Sequence, residues 1–421
     1  MAGSSDLLSA AEAAALTTGA RAVEQDTLRQ TFAERGYLSD EASEQRRYRA
    51  AYLAAMQTRD EDEVQLFFAP TYACNFDCAY CYQTEYAHDG GYARTEVIAA
   101  FYAYVEQSFA GRKKYVTLFG GEPLLTSASA QAGLAALVDG AAARHLNLAV
   151  VTNGYNLCEA LPVLTRAHLR EIQVTIDGLA ALHDARRPLK GGGSTFARVV
   201  AGVDETLARN LAVNLRVVVD RDNLAGLPEL ARFAIARGWT TSPHFKTQLG
   251  RNYELHTCQA QASRLYSRLE LHEALLDLAR AHPEVLELHR PAFSVTRYLA
   301  EHGKLPAPLF DSCPGCKSEW AFDASGRIYA CTATVGKADE SLGTFFPAVR
   351  LQEEKVAKWQ DRDVLAIAEC KNCPVQLACG GGCAAVAKHK TGRLHGPDCR
   401  PIRELLGLGA ALYLDQGVHR E

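Results

Sequence analysis

The chain has 421 residues, 48% apolar and 22% charged, with 32 Gly and 15 Pro; this excludes collagen-like and wholly disordered classes and can supply core for two or three domains. A formal net charge of −4 leaves no polyelectrolyte footprint, so neither nucleic acid nor an anionic membrane is an expected partner. The first twenty residues hold Asp6 and Glu12 but no Lys or Arg, and no apolar run approaches the roughly 18 residues of a membrane span, so a cytoplasmic protein is expected.

Residues 1–62 read as an N-terminal helical extension, with an Ala-rich start, a helix over Thr27 to Arg35, a break at Gly36 and a second helix from about Glu41 to Thr58. From residue 63 short β-rich runs alternate with helical segments: Val64 to Phe68, Tyr115 to Phe119, Leu146 to Val151, Ile172 to Ile176, Val213 to Val219 and, least clearly, His244 to Gln248. Strand-then-helix alternation implies a parallel sheet with right-handed crossovers. Residues 63–290 are therefore expected to form an α/β unit, a partial (β/α)6 TIM-like barrel. Three cysteines follow the first strand, Gly120-Gly121-Glu122-Pro123 the second, Thr152-Asn153-Gly154 the third and Asp177-Gly178 the fourth, which puts all four clusters on one rim. Lys190 to Ser194, with three consecutive glycines, is expected as a loop near that rim, either a gate or a turn. A helical segment from Cys258 to Ala281 and prolines at 283, 291, 306 and 308 lead to residues 291–400, a small cysteine-rich domain with little periodicity that needs bound metal to hold together. Residues 401–421 close the chain with a helix over about Ile402 to Leu414.

Thirteen cysteines without a secretory signal suggest a reducing compartment, where clustered thiols are better read as metal or cluster ligands than as disulfides. Cys74, Cys78 and Cys81 offer three soft ligands on a loop; a 4Fe-4S cube held by three thiolates keeps one iron open to an exogenous ligand. The alternative is a zinc site borrowing a fourth ligand, for example His88. Eight more, Cys313, Cys316, Cys331, Cys370, Cys373, Cys379, Cys383 and Cys399, suffice for two fully ligated 4Fe-4S clusters, with a tetrathiolate zinc site as the alternative. Cys158 and Cys258 match neither group and are expected as buried free thiols. His183 and His395 lack partner spacing and receive no role, and no catalytic acid or base is assigned.

The Cys-x3-Cys-x2-Cys loop followed by Gly120 to Pro123 resembles the radical S-adenosylmethionine (SAM) superfamily, and the spacing of the eight later cysteines resembles its auxiliary-cluster domain, SPASM. The resemblance implies SAM bound through its amino and carboxylate groups to the open iron. Gly120, Gly121, Glu122 and Pro123 would then meet the amino group, and Asn153 and Asp177 would lie near the carboxylate and ribose. A guanidinium from Arg186, Arg187 or Arg216 would neutralise the carboxylate. It also implies an inner auxiliary cluster on Cys313, Cys316, Cys331 and Cys383 and an outer one on Cys370, Cys373, Cys379 and Cys399, giving three 4Fe-4S clusters.

The chemistry implied is reductive cleavage of SAM to a 5′-deoxyadenosyl radical that abstracts hydrogen from a peptide or protein substrate, with flavodoxin or ferredoxin as electron donor. For a ribosomally made peptide the outcome would be a crosslink or an excision. Sulfatase-maturing members, which make formylglycine, carry an Asp directly after the third auxiliary cysteine, where this chain has Thr332. Formylglycine formation, a small-molecule substrate and a non-catalytic iron-sulfur electron carrier are the alternatives. The N-terminal helices are expected either to recognise peptide or to pack on the barrel.

Overall fold

A computed structural model of the chain describes residues 26–85, 90–251 and 264–414, together with Ala13. Strands β1 (Val64–Ala69), β2 (Lys114–Leu118), β3 (Asn147–Thr152), β4 (Leu169–Thr175), β5 (Val213–Val219) and β6 (Phe245–Arg251) pair in parallel, each with its successor in sequence. Consecutive order makes every crossover turn the same way, so the helices between strands gather on one side and the sheet curls into a partial barrel. The intervening helices bury one apolar face against it, for example Phe101 and Val105, Leu134 and Leu137, Val199 and Val203, and Leu230 and Ala231. In β5 only Arg216 is less than fully buried.

The cysteine-rich segment, whose sequence shows little periodicity, extends this sheet. β7 (Glu319–Asp323) pairs in parallel with the free edge of β1, and β8 (Arg327–Tyr329), β9 (Gly343–Thr344) and β10 (Arg350–Leu351) continue antiparallel, giving ten strands in the order β10-β9-β8-β7-β1-β2-β3-β4-β5-β6. β7 is buried at four of its five positions and so shows no alternation, and the other three are too short for any pattern. Asp323 fixes the junction: its Oδ2 accepts from the Tyr72 and Tyr329 hydroxyls, both at 2.8 Å.

The Glu41–Glu61 helix is capped by Asp40, which accepts from the Ser43 N–H at 2.8 Å. It packs on the cysteine-rich segment rather than on the barrel helices. Tyr48 and Tyr52 each meet the Phe310 ring edge-on at 5.3 Å, and their hydroxyls donate to Gln376 (3.0 Å) and Asp363 (2.8 Å). The Ile402–Tyr413 helix packs with the Arg268–Ala281 helix around Leu276, Ala279, Phe293, Leu405 and Leu412. The Ala-rich start apart from Ala13, His88, Cys258 and the beginning of the helical segment after it lie outside the described residues. Among the described residues no helix is long and apolar enough to cross a membrane.

Candidate active site

The loop after β1 is held by its neighbours. The Lys190 N–H donates to Asn75 O at 2.8 Å, the Asp77 N–H to Pro188 O at 2.9 Å, and Phe76 bridges to Leu189. Residues 188–190 thus brace the cysteine loop, while Gly191 and Gly192, with φ of 84° and 90°, turn in open space. On the other side the Gly121 N–H donates to Thr71 O (2.9 Å) and the Glu122 N–H to Ala73 O (2.8 Å). A Cβ at Gly121 would collide with the Ala73 and Tyr72 carbonyls, so only glycine permits this approach. Asn153 reaches the same loop, its side-chain amide donating to Asn75 Oδ1 at 2.7 Å and lying 3.8 Å from Cys74 Sγ.

A cavity of about 480 Å³ opens over this loop, lined by Cys74, Cys78, Cys81, Gly120, Gly121, Asn153, Thr175, Arg187 and Arg216 and, from the cysteine-rich segment, by Thr332 and Cys383. Glu122, Pro123 and Asp177 lie outside this lining. Glu122 is fully buried away from the cavity lining; its carboxylate accepts from the Leu124 N–H (2.8 Å), the Thr152 hydroxyl (2.7 Å) and the Asn153 N–H (2.7 Å), tying the end of β2 to the end of β3. Burial raises its pKa, a cost those three donors reduce. Pro123 is likewise turned aside, its carbonyl accepting from the Tyr92 hydroxyl at 3.0 Å. Asp177 is also buried and absent from the lining: it accepts from the Tyr80 hydroxyl, from Arg186 Nε (3.3 Å) and from the Val218 N–H (2.9 Å). Arg186 is committed as well, bridging Asp177 and Asp220. A loop sequence does not say which way its acid points, and here both acids point into the protein.

Arg187 and Arg216 do face the cavity, and the Nε of each is buried without a hydrogen-bond partner. Gly250 makes room for the second, since a Cβ there would stand 3.0 Å from Arg216 Nε. Unpaired guanidinium nitrogens in a cavity want an anion. The three thiols lie close enough to disfavour each other's ionisation: burial pushes Cys74 up to about 12, with Glu122, Cys78 and Cys81 adding, and Cys78 to about 11, partly opposed by Arg187. Bound metal reverses that repulsion by taking the thiolates directly. The donor set therefore fits a cluster that offers SAM an open iron.

Residues 68–234 match the Radical SAM superfamily. The chain carries a radical SAM domain. It is 28% identical to a mycofactocin maturase MftC of Mycobacterium ulcerans (strain Agy99) over 78% of its own length and 85% of that protein's, and 24% identical to a serine-type anaerobic sulfatase-maturating enzyme of Klebsiella aerogenes over 74% and 77%. Its fold is shared by native anSMEcpe with bound AdoMet (TM-score 0.62, 16% identity, 84% and 98% of the two chains) and by Streptococcus suis SuiB bound to S-adenosylmethionine (0.54, 12%, 89% and 87%). Both likenesses run well past the barrel, so the shared fold includes the cysteine-rich segment.

In that segment neighbouring thiols disfavour one another's ionisation. Burial and then Glu319 raise the pKa of Cys331, with Cys313 and Cys383 adding, while Cys313 adds to burial at Cys316. Burial pushes Cys370 up to about 11, with Cys379, Cys399 and Cys373 adding, and Cys399 in turn feels Cys379 and Cys373. Among the described residues no three His, Cys, Asp or Glu side chains close around a single ion; a cube, whose irons each take one thiolate, spreads its ligands more widely.

Sequence reading missed what positions these thiols. Arg362 is fully buried and donates to the carbonyls of Gly381 (2.9 Å), Gly382 (3.1 Å), Leu394 (2.9 Å) and Gly396 (3.1 Å). Lys317 donates to Asp311, Cys313 O and Arg362 O, and Asp311 accepts from the Cys313 N–H at 2.9 Å. Asp398 accepts from the Cys383 N–H at 3.2 Å. The one available signal was charge, Asp311, Lys317, Arg362 and Asp398, placed beside cysteines in a segment with little else to bury. Thr332 lines the cavity and hydrogen-bonds Glu319, whose pKa burial raises; its N–H donates at 2.9 Å. Cys158 is exposed, against the expectation of a buried thiol, because it sits on the outer face of the Leu157–Leu164 helix beside Glu159.

Proposed function

We propose that this radical SAM enzyme oxidises a ribosomally made peptide, introducing a crosslink or excising part of the chain. When bound, SAM on the three-cysteine cluster supplies one-electron hydrogen abstraction from an unactivated C–H bond. Cys74, Cys78 and Cys81 are the proposed ligands of that cluster. Gly120 and Gly121 would let the cofactor approach the backbone, Asn153 would orient the cysteine loop, and Arg187 and Arg216 would hold the SAM carboxylate. The inner auxiliary set is Cys313, Cys316, Cys331 and Cys383, and the outer set Cys370, Cys373, Cys379 and Cys399, giving about twelve irons per chain.

The observation that carries this reading is the shared cavity. One space is lined both by the three-cysteine loop and by Cys383 and Thr332 of the cysteine-rich segment, so a substrate held there touches the site of hydrogen abstraction and an acceptor for the electron left behind. The maturase relatives support a peptide as that substrate. The reading includes a cytoplasmic enzyme, reduced by a flavodoxin or ferredoxin, that uses neither nucleic acid nor membrane. A second reading, formylglycine formation, gains support from Glu319, a carboxylate standing behind Thr332 at the position where sulfatase-maturing members carry Asp.

The test incubates reduced, reconstituted enzyme and SAM with a peptide encoded beside the gene and, separately, with a sulfatase-type Cys or Ser peptide, following peptide mass and 5′-deoxyadenosine together. A loss of two hydrogens, or a larger defined loss, on the encoded peptide is expected. Efficient conversion of the sulfatase peptide to an aldehyde, with the encoded peptide untouched, would reverse the ranking.

A further inference from the structure

Among the described residues the cavity wall carries four guanidinium groups, Arg187, Arg216, Arg268 and Arg400, and no Asp or Glu side chain. A SAM carboxylate accounts for the barrel pair, Arg187 and Arg216. The other two come from elsewhere: Arg268 opens the helix after β6, and Arg400 follows Cys399. Arg268 is tied to the cysteine-rich wall because its Nη2 donates at 2.6 Å to Asp398 Oδ2, the oxygen that also accepts from the Cys383 N–H. Its Nη1 is buried and has no partner. Arg400 makes no ion pair among the described residues. Asp398 therefore compensates part of one positive charge, and Arg268 Nη1 and the Arg400 guanidinium are left as donors on the cavity wall without a carboxylate partner among the described residues.

We propose that Arg268 and Arg400 form a carboxylate-binding site that selects the substrate. The peptide is held through an anionic group, its C-terminal carboxylate or an Asp or Glu side chain, against the wall that carries Thr332 and Cys383. A guanidinium matches a carboxylate in shape and donates two parallel hydrogen bonds, so the pair fixes position as well as charge. This rests on the peptide reading above and adds which peptides are accepted.

The test uses synthetic random hexapeptides in three matched pools: free-acid C-terminus with neutral side chains, amidated with a single Asp or Glu, and amidated with neutral side chains throughout. A mixture of small carboxylic acids forms a fourth arm. Each is equilibrated with reconstituted, SAM-loaded enzyme, and retained species are quantified by mass spectrometry for wild type, R400Q, R268Q and R268K at matched iron content. R400Q is the cleaner variant because Arg400 holds no structural partner, and R268K keeps a charge for Asp398 if R268Q loosens that wall. Wild type is expected to retain one anionic pool about tenfold or more over the neutral pool, as a charged hydrogen bond warrants, and R400Q to lose that preference. Which anionic pool wins distinguishes a terminal from a side-chain carboxylate. Equal retention of neutral and anionic peptides, or a preference untouched in both R400Q and R268K, overturns the carboxylate site and spares the peptide reading. Arginine-dependent retention of the small acids with no peptide retained spares the site and overturns the peptide reading. Retention of nothing overturns both.

Discussion

Cys74, Cys78 and Cys81 are only half-buried, on a loop whose backbone is hydrogen-bonded from both sides by residues 188–190 and by the Gly120-Gly121 turn, whereas Cys313, Cys316, Cys331, Cys370 and Cys379 are buried and held by charged side chains satisfying carbonyls. The first arrangement borrows rigidity from the barrel sheet and keeps one face of the thiol set toward a cavity. The second adds short strands to the edge of that sheet and is held further by Arg362, Lys317, Asp311 and Asp398. The difference teaches that a site meant to react can rest on backbone contacts at a rim, while one that only needs to persist can be locked into a buried polar network.

The largest expected effect comes from deleting the rim set: the Cys74, Cys78 and Cys81→Ala triple variant loses 5′-deoxyadenosine production to background under strong reductant, as read by chromatography, while Cys370→Ala retains measurable cleavage. Next is Arg362→Leu, which removes the guanidinium that donates to four backbone carbonyls. It should cost about 3–5 kcal/mol of stability and, by metal analysis, lower iron from about twelve to about four per chain with SAM cleavage preserved. If cleavage and iron fall in proportion, the two regions are not separable.

Gly382→Ala probes the same block more gently. Gly382 has φ 71° and a Cβ there would strike Asp398 O; a cost of about 2 kcal/mol is expected from backbone strain, read as a lower thermal midpoint, whereas Gly191→Ala, also at positive φ but in open space, should cost less. On the barrel side the smallest effect is pH-dependent. His183 is buried, its Nδ1 accepts from the Asp177 N–H at 3.3 Å, and burial followed by Arg187 lowers its pKa from 6.5 to about 4. The unfolded chain therefore takes up a proton that the folded one refuses. Stability is intact above pH 6.5 and falls as pH drops toward 4, by about 2 kcal/mol at pH 5. Urea titrations of His183→Asn, which keeps an acceptor, should show a shallower pH slope than wild type.

The barrel strands were legible where an apolar run stands between turn residues, and β5 matches its expected bounds, Val213–Val219; β6, FKTQLGR, has no such run and was the least clear. β7 to β10 were not: β7 is buried at four of five positions and shows no alternation, and the two- or three-residue strands β8 to β10 are fixed by the partner they pair with, not by their own pattern. The thiols were legible because soft ligands have few other uses in clusters. Orientation was not: Glu122 and Asp177 stand in the expected loops yet face inward, and Arg268 and Arg400 face the cavity without belonging to any motif. The N-terminal helix gave no sign that its Tyr48 and Tyr52 would meet Phe310, because such contacts are set by tertiary packing far along the chain.

The central claim is that the three-cysteine loop keeps an iron open to SAM while the eight later thiols close theirs. The most direct measurement is electron-nuclear hyperfine spectroscopy of the reduced enzyme with SAM labelled at its carboxylate oxygen and amino nitrogen. Coupling to both labels is expected in wild type and in Cys370→Ala. Absence of coupling in wild type with its full iron complement, or coupling that persists after Cys74, Cys78 and Cys81 are replaced, would contradict it.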